Sequence, residues 1–315
     1  VSHLEWGRTS RVHFGMFFYF LQRTYTLPSF CPASNHPNIQ KEGKLVACFH
    51  LNASVISRGH GKSVTAALAY ISGEKLRDMY DGLIYDRSYR QDVVYKEILL
   101  PPEAPSELLD RQTLLDALNY AERRKDAQLA RSIHLALPDE LSLPEQIALV
   151  REFVQVHFIR RGLCADIAIH QGKLDKTRKP LSIEPVVERK DNRHAHIIVP
   201  FRSVNKCGFC PTKQKNRFMN SLSYLNIWRK SWADLQNREF ERKRLSVRVS
   251  HESLAAQGID REPTKHLGPG TIALELRGVQ TERGDMHREI MERNRVREDM
   301  KQRRRNRNRD NVRSR

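Results

Sequence analysis

The segment Arg193-His194-Ala195-His196-Ile197-Ile198-Val199-Pro200 constrains this chain most. Two histidines one residue apart run into a β-branched apolar stretch, which reads as a strand. Side chains two apart on a strand project from one face, so His194 and His196 point together. A second strand-like run, Ala165-Asp166-Ile167-Ala168-Ile169-His170, ends on a third histidine. Paired as an antiparallel hairpin, the two runs bring three imidazoles to its mouth. Three neutral imidazoles with open coordination positions suit a catalytic divalent metal. Chance is the plain alternative, since the chain carries 13 histidines. The third histidine at a strand end favours the metal.

At 315 residues the chain has room for one large domain or two ordinary ones. Its hydrophobic fraction is 39% and its mean hydropathy is −0.63, so part of the chain is expected not to pack. A formal net charge of +18 favours a polyanionic partner, and nucleic acid is the usual one. An anionic membrane surface competes, but no apolar run approaches the ~18–20 residues that span a bilayer, so no membrane insertion is expected. Cys31, Cys48, Cys164, Cys207 and Cys210 are odd in number and uneven in spacing, which gives no disulfide framework and fits a reduced, cytoplasmic setting. Cys207 and Cys210 could instead join His194 and His196 in a structural zinc site.

Residues 1–45 read as a leader outside the folded protein: a short apolar run, Phe14 to Leu21, imitates a signal peptide without a clean cleavage pattern. Ordered structure is expected from about Val46. Alternation over Phe49–Ile56 marks a half-buried strand. Ser63 caps a small-residue helix, Val64–Ser72, stopped by Gly73. Val93–Leu100 is a strand, Ser106 opens a helix to about Arg124, and Ser132–Leu137 is a short strand. Ser142-Leu143-Pro144-Glu145 is a capping box that starts a helix ending at Gly162. Tyr224–Glu241 is a further helix whose Trp228 and Trp232 are core residues. From Val279 the chain becomes a basic tail, helical or disordered, and Lys301–Arg309 would hold phosphate backbone non-specifically. The order of elements predicts an α+β fold, a central antiparallel β-sheet with helices on one face.

Tyr70 sits on the small-residue helix, in Ala66-Ala67-Leu68-Ala69-Tyr70-Ile71-Ser72-Gly73-Glu74. Small neighbours let a substrate backbone approach its hydroxyl, and an activated tyrosine can act as a covalent nucleophile. The plain alternative is an ordinary surface tyrosine. Several segments, in order, resemble the MobA/MobL family of plasmid mobilization relaxases. They are His50-Leu51, Ser57-Arg58-Gly59, Ala66–Glu74, Glu97–Pro101, Lys125–Arg131, Ala136-Leu137-Pro138, Val150–Val154, Arg161-Gly162 to His170, the His-Ala-His strand and His266–Pro269. The resemblance covers about residues 46–278, implying a relaxase domain there and a tail over 279–315. No single motif is decisive; their shared order is.

The resemblance implies an HUH-endonuclease type of fold, flanked by helices. It carries the catalytic tyrosine onto Tyr70 and the metal-binding triad onto His170, His194 and His196. It implies strand-specific nicking of a plasmid's single-stranded transfer-origin DNA through a 5′-phosphotyrosine, with Mg²⁺ or Mn²⁺. Imidazoles alone would favour softer metals. Accessory relaxosome proteins and a coupling ATPase are the implied partners, and passage to a recipient cell on the DNA is the implied fate. Val46 stands where relatives begin, which predicts a GTG start codon. Two features depart from the family: an insertion over Lys173–Lys190, and His134 where relatives usually show an acid. His134 is expected to stand one remove from the metal. Arg58, Lys62 and Arg202 flank the site as candidate phosphate contacts or plain surface charges. A non-catalytic basic DNA-binding protein and a water-using metal nuclease remain the alternatives.

Overall fold

The computed structural model describes residues 49–172, 193–211, 215–264 and 267–313. The expected leader, the start at Val46, the 173–190 insertion, Cys31, Cys48 and His266 lie outside these residues. The frame is a five-stranded antiparallel sheet of β1 (Leu51–Ser57), β4 (Val93–Leu99), β5 (Gln128–Ala136), β6 (Ala165–His170) and β7 (His194–Pro200). Its order is β1-β5-β7-β6-β4. A short hairpin of β2 (Lys75–Arg77) and β3 (Ile84–Asp86) follows α1 (Val64–Ser72).

Helices cover both faces of this sheet, not one. On the first face, α3 (Leu143–His157) and α4 (Leu222–Arg242) press Phe153, Phe158, Trp228 and Trp232 onto Ile133, Leu135, Ile167, Ile169, Ala195, Ile197 and Val199. On the second face, α1 and α2 (Arg111–Ala121) bring Leu68, Ile71, Leu115 and Leu118 to Ala130, Ala168 and Ile198. Cover on both sides leaves β6 buried at every position and β7 at every position but His194, rather than at alternate ones. The sequence conceals this because α1 and α2 are short and nothing local says which side of the sheet they cover.

Local chemistry sets the helix ends as expected at two places. The Ser63 hydroxyl accepts a bond from the Ala66 amide at 3.1 Å, and Gly73 closes α1 at φ +65°, where a Cβ would lie 3.2 Å from Val93 Cγ2. Ser142 and Glu145 form the capping box of α3. The helix expected from Ser106 differs. Ser106–Leu109 is a 3₁₀ turn, and α2 begins at Arg111 because the Asp110 carboxylate accepts from the Thr113 amide at 2.8 Å. The basic tail is helical: α5 (Pro269–Leu276) leads into α6 (Glu282–Arg313). Its first half docks, with Ile290 buried and Arg293 forked onto the Glu262 carboxylate at 2.9 and 3.0 Å. Among the described residues, no helix is long and apolar enough to cross a membrane.

Candidate metal and nucleophile site

Strand register builds the triad. β6 and β7 pair antiparallel with His170 opposite His194, and β5 lies on the other side with His134 opposite His196. His194, His196 and His170 therefore share the second face, where small Ala168 opposite His196 leaves room between the rings. Ring centroids are 4.4 Å apart for His170–His196, 4.9 Å for His194–His196 and 5.5 Å for His170–His194. One ligand nitrogen from each ring lies within 4.8 Å of the others.

The donor set fits a metal. His196 is 4% exposed, and neither of its ring nitrogens has a hydrogen-bond partner. A buried imidazole with two unsatisfied nitrogens is costly unless something supplies the missing bond. Burial, reinforced by the neighbouring imidazoles, pushes the His196 pKa down to about 2. Burial likewise lowers His170. Both rings are held neutral, the state a metal needs. His170 is oriented from behind, because its Nε2 donates to the Ile71 carbonyl at 2.7 Å.

That carbonyl belongs to the residue after Tyr70, so α1 sets the ligand and the tyrosine together. The Tyr70 ring centroid lies 5.7 Å from His170 and 5.8 Å from His196, edge-on to both. Tyr70 is 43% exposed and lines a cleft of about 780 Å³ with Arg87, Tyr89, Arg90, Gln91, Asp92, Gln171 and Gly172. Arg90 was not suggested by the sequence. Its guanidinium carbon lies 3.9 Å from the Tyr70 ring centroid, and Nη2 is 3.3 Å from His170 Nδ1. Burial opposes its charge, but bonds to Asp92 and Tyr70 outweigh that and raise its pKa. Eighty positions separate Arg90 from His170, and no local pattern could join them.

The remaining expected residues divide. His134 stacks edge-on against His196 at 4.4 Å and lies outside the ligand group, with Ser132 Oγ 3.2 Å from its Nε2. Lys62 is exposed, and its Nζ donates to the Val55 carbonyl at 3.3 Å. Arg58 donates to Asn119 Oδ1 at 2.6 Å and to the Glu122 carbonyl, and stacks over Tyr80 at 4.0 Å. Arg202 is a correction. It is 3% exposed and bound to the Glu122 carboxylate at 2.8 Å and to the Cys210 and Ala121 carbonyls, so it braces the core and offers nothing to a phosphate. The cysteine–histidine zinc site is corrected too. Cys207 lies in the turn between β8 (Val204–Asn205) and β9 (Gly208–Phe209), Cys210 follows β9, and neither joins the histidines, which form the metal-capable group among the described residues.

Comparison with known proteins finds relatives in plasmid mobilization. The MobA/MobL family model matches residues 62–277. The mobilization protein MobL of Acidithiobacillus ferridurans is 31% identical over 268 residues, covering 79% of this chain and 69% of MobL. The conjugal transfer protein TraA of Rhizobium radiobacter is 31% identical over 75% of this chain, which spans only 22% of TraA. A structure solved in work on the molecular basis of vancomycin resistance transfer in Staphylococcus aureus superposes with a TM-score of 0.56 at 31% identity. It covers 66% of this chain and 100% of its own. The chain belongs to the MobA/MobL family of plasmid mobilization relaxases.

Proposed function

We propose that this protein nicks one strand of a plasmid's transfer-origin DNA through Tyr70. The observation that carries the reading is Tyr70 standing edge-on to His170 and His196 at the mouth of an open cleft. The Tyr70 hydroxyl attacks the scissile phosphorus. An Oη–P bond forms, the P–O3′ bond breaks, the phenol loses its proton and the leaving 3′ oxygen gains one. The product is a 5′-phosphotyrosine that conserves the ester bond, so religation after transfer needs no ATP. His170, His194 and His196 would hold a divalent ion, Mg²⁺ or Mn²⁺, and the ion would supply polarisation of the phosphate and stabilisation of its added charge. The rigid hairpin and α1 keep tyrosine and ligands in one geometry.

The net charge of +18 supports binding of single-stranded DNA through many phosphate contacts. Cytoplasmic relaxosome assembly with accessory proteins and a coupling ATPase, and transport into a recipient on the DNA, belong to the same reading. The test is a denaturing gel of protein incubated with Mn²⁺ and an origin oligonucleotide. A covalent adduct absent from Tyr70→Phe is expected. Cleavage that survives Tyr70→Phe would mean a water-using nuclease, and binding without cleavage a passive DNA binder.

A further inference from the structure

We infer that Arg90 guards the metal-binding lone pair of His170 and, once displaced, is delivered to the phosphate beside Tyr70. The second half rests on the nicking reading above. Two contacts settle the tautomer of His170. The Ile71 carbonyl can only accept, so Nε2, at 2.7 Å, carries the proton. Arg90 Nη2 can only donate, so Nδ1, at 3.3 Å, presents its lone pair. The nitrogen left for a metal is the one Arg90 holds. A divalent ion and a guanidinium cannot share that lone pair, and like charges so close repel.

Arg90 cannot go far when it yields. Asp92 grips it through Nε at 2.9 Å and again through Nη2. The guanidinium already lies against the Tyr70 ring and lines the cleft with it, its side chain 12% exposed. A guanidinium has five donors in a planar fork that matches phosphate oxygens. A small rotation about the Nε–Asp92 bond, giving up the Nη2 one, carries Nη2 from the imidazole toward the cleft. The arriving metal thus frees the donor that the phosphate needs.

The experiment uses the full chain with Arg90→Gln, and with Arg90→Gln plus Asp92→Asn, which leaves no unpaired carboxylate beside the site. Mn²⁺ affinity is measured without DNA by electron paramagnetic resonance of the free ion, and adduct formation is timed at saturating Mn²⁺. Both variants should bind Mn²⁺ about tenfold more tightly, the factor of one hydrogen bond to a charged group. Both should form the Tyr70 adduct about 100-fold more slowly, as when one charge-stabilising donor is removed. Weaker or unchanged Mn²⁺ binding in both variants overturns the guard. Tighter binding in the single variant alone assigns the effect to the bared Asp92 charge and overturns it equally. An unchanged adduct rate overturns delivery to phosphate. If the parent protein forms no adduct yet the variants bind Mn²⁺ more tightly, the nicking reading fails and the guard stands.

Discussion

The two faces of the central sheet are made from the same strands and differ in almost everything else. Under α3 and α4, alternate residues of β5, β6 and β7 are aliphatic and pack beneath aromatic rings whose centroids lie 5.4 to 6.1 Å from one another. Under α1 and α2 the intervening residues include His134, Asp166, His170, His194 and His196. There Asp166 is buried against Arg111, with bonds of 2.5 and 2.9 Å, and Arg111 also reaches Glu74 at 2.6 Å. Such groups are costly to bury and add little net stability. The dry face holds the molecule together, and the polar face is free to be organised for chemistry.

Substitutions should separate the two faces. The largest effect is expected from His196→Ala, which removes a ring that makes no hydrogen bond. Adduct formation with Mn²⁺ should fall by about 1,000-fold or more, as when a key stabilising group of a transition state is lost. Single-strand binding should stay near the parent level, because it depends on many cations. A parallel loss of binding and melting temperature would instead make His196 a packing residue. On the opposite face, Phe153→Ala should cost about 3–5 kcal/mol in urea denaturation by leaving a cavity under Trp232. Nicking per folded molecule should not change, and a specific fall in it would break the division between faces.

Acid should weaken the dry face through His157. Its ring packs 4.7 Å from Phe153 and its Nε2 is 2.7 Å from Ser231 Oγ, and burial beside Arg161 pushes its pKa down to about 4. An unfolded histidine titrates near 6.5. Between those values the unfolded chain binds the proton and the folded one resists it, so stability falls as pH drops from about 6.5 to 4. His157→Gln should flatten that part of the stability profile; an unchanged slope would remove His157 as the cause. The smallest effect is expected from Arg238→Ala, which breaks a forked bond to Glu152 between α4 and α3 at 2.6 and 2.7 Å. Both side chains are largely exposed, so the cost should stay below about 1 kcal/mol and shrink with salt.

Much of the local structure was legible. The caps at Ser63 and Ser142, the stop at Gly73, and the burial of Trp228 and Trp232 follow from nearby residues, whereas α3 ends at His157, earlier than expected, and Gly162 closes the 3₁₀ turn Ile159–Arg161 that follows it. The false start at Ser106 shows the limit, since Asp110 competes for the same cap role and wins. Both helices of the second face were legible as helices, but which face of the sheet they cover was not, because that is fixed by packing and not by any local pattern. Arg202 looked like a phosphate contact by its position in the chain, yet burial beside Glu122 turns its charge inward.

The chain alone determined the spacing of the histidines, the small-residue helix around Tyr70 and the excess of positive charge. Strand periodicity and capping are local, and a linear pattern can carry them. Only the tertiary structure decided which histidine ring faces which, that α1 lends the Ile71 carbonyl to His170, and that Arg90 stands between tyrosine and ligand. The two bonds to His170 join residues 80 and 99 positions apart, and the packing of α1 and of the loop before β4 against the end of β6, not any neighbour in sequence, brings them within bonding range.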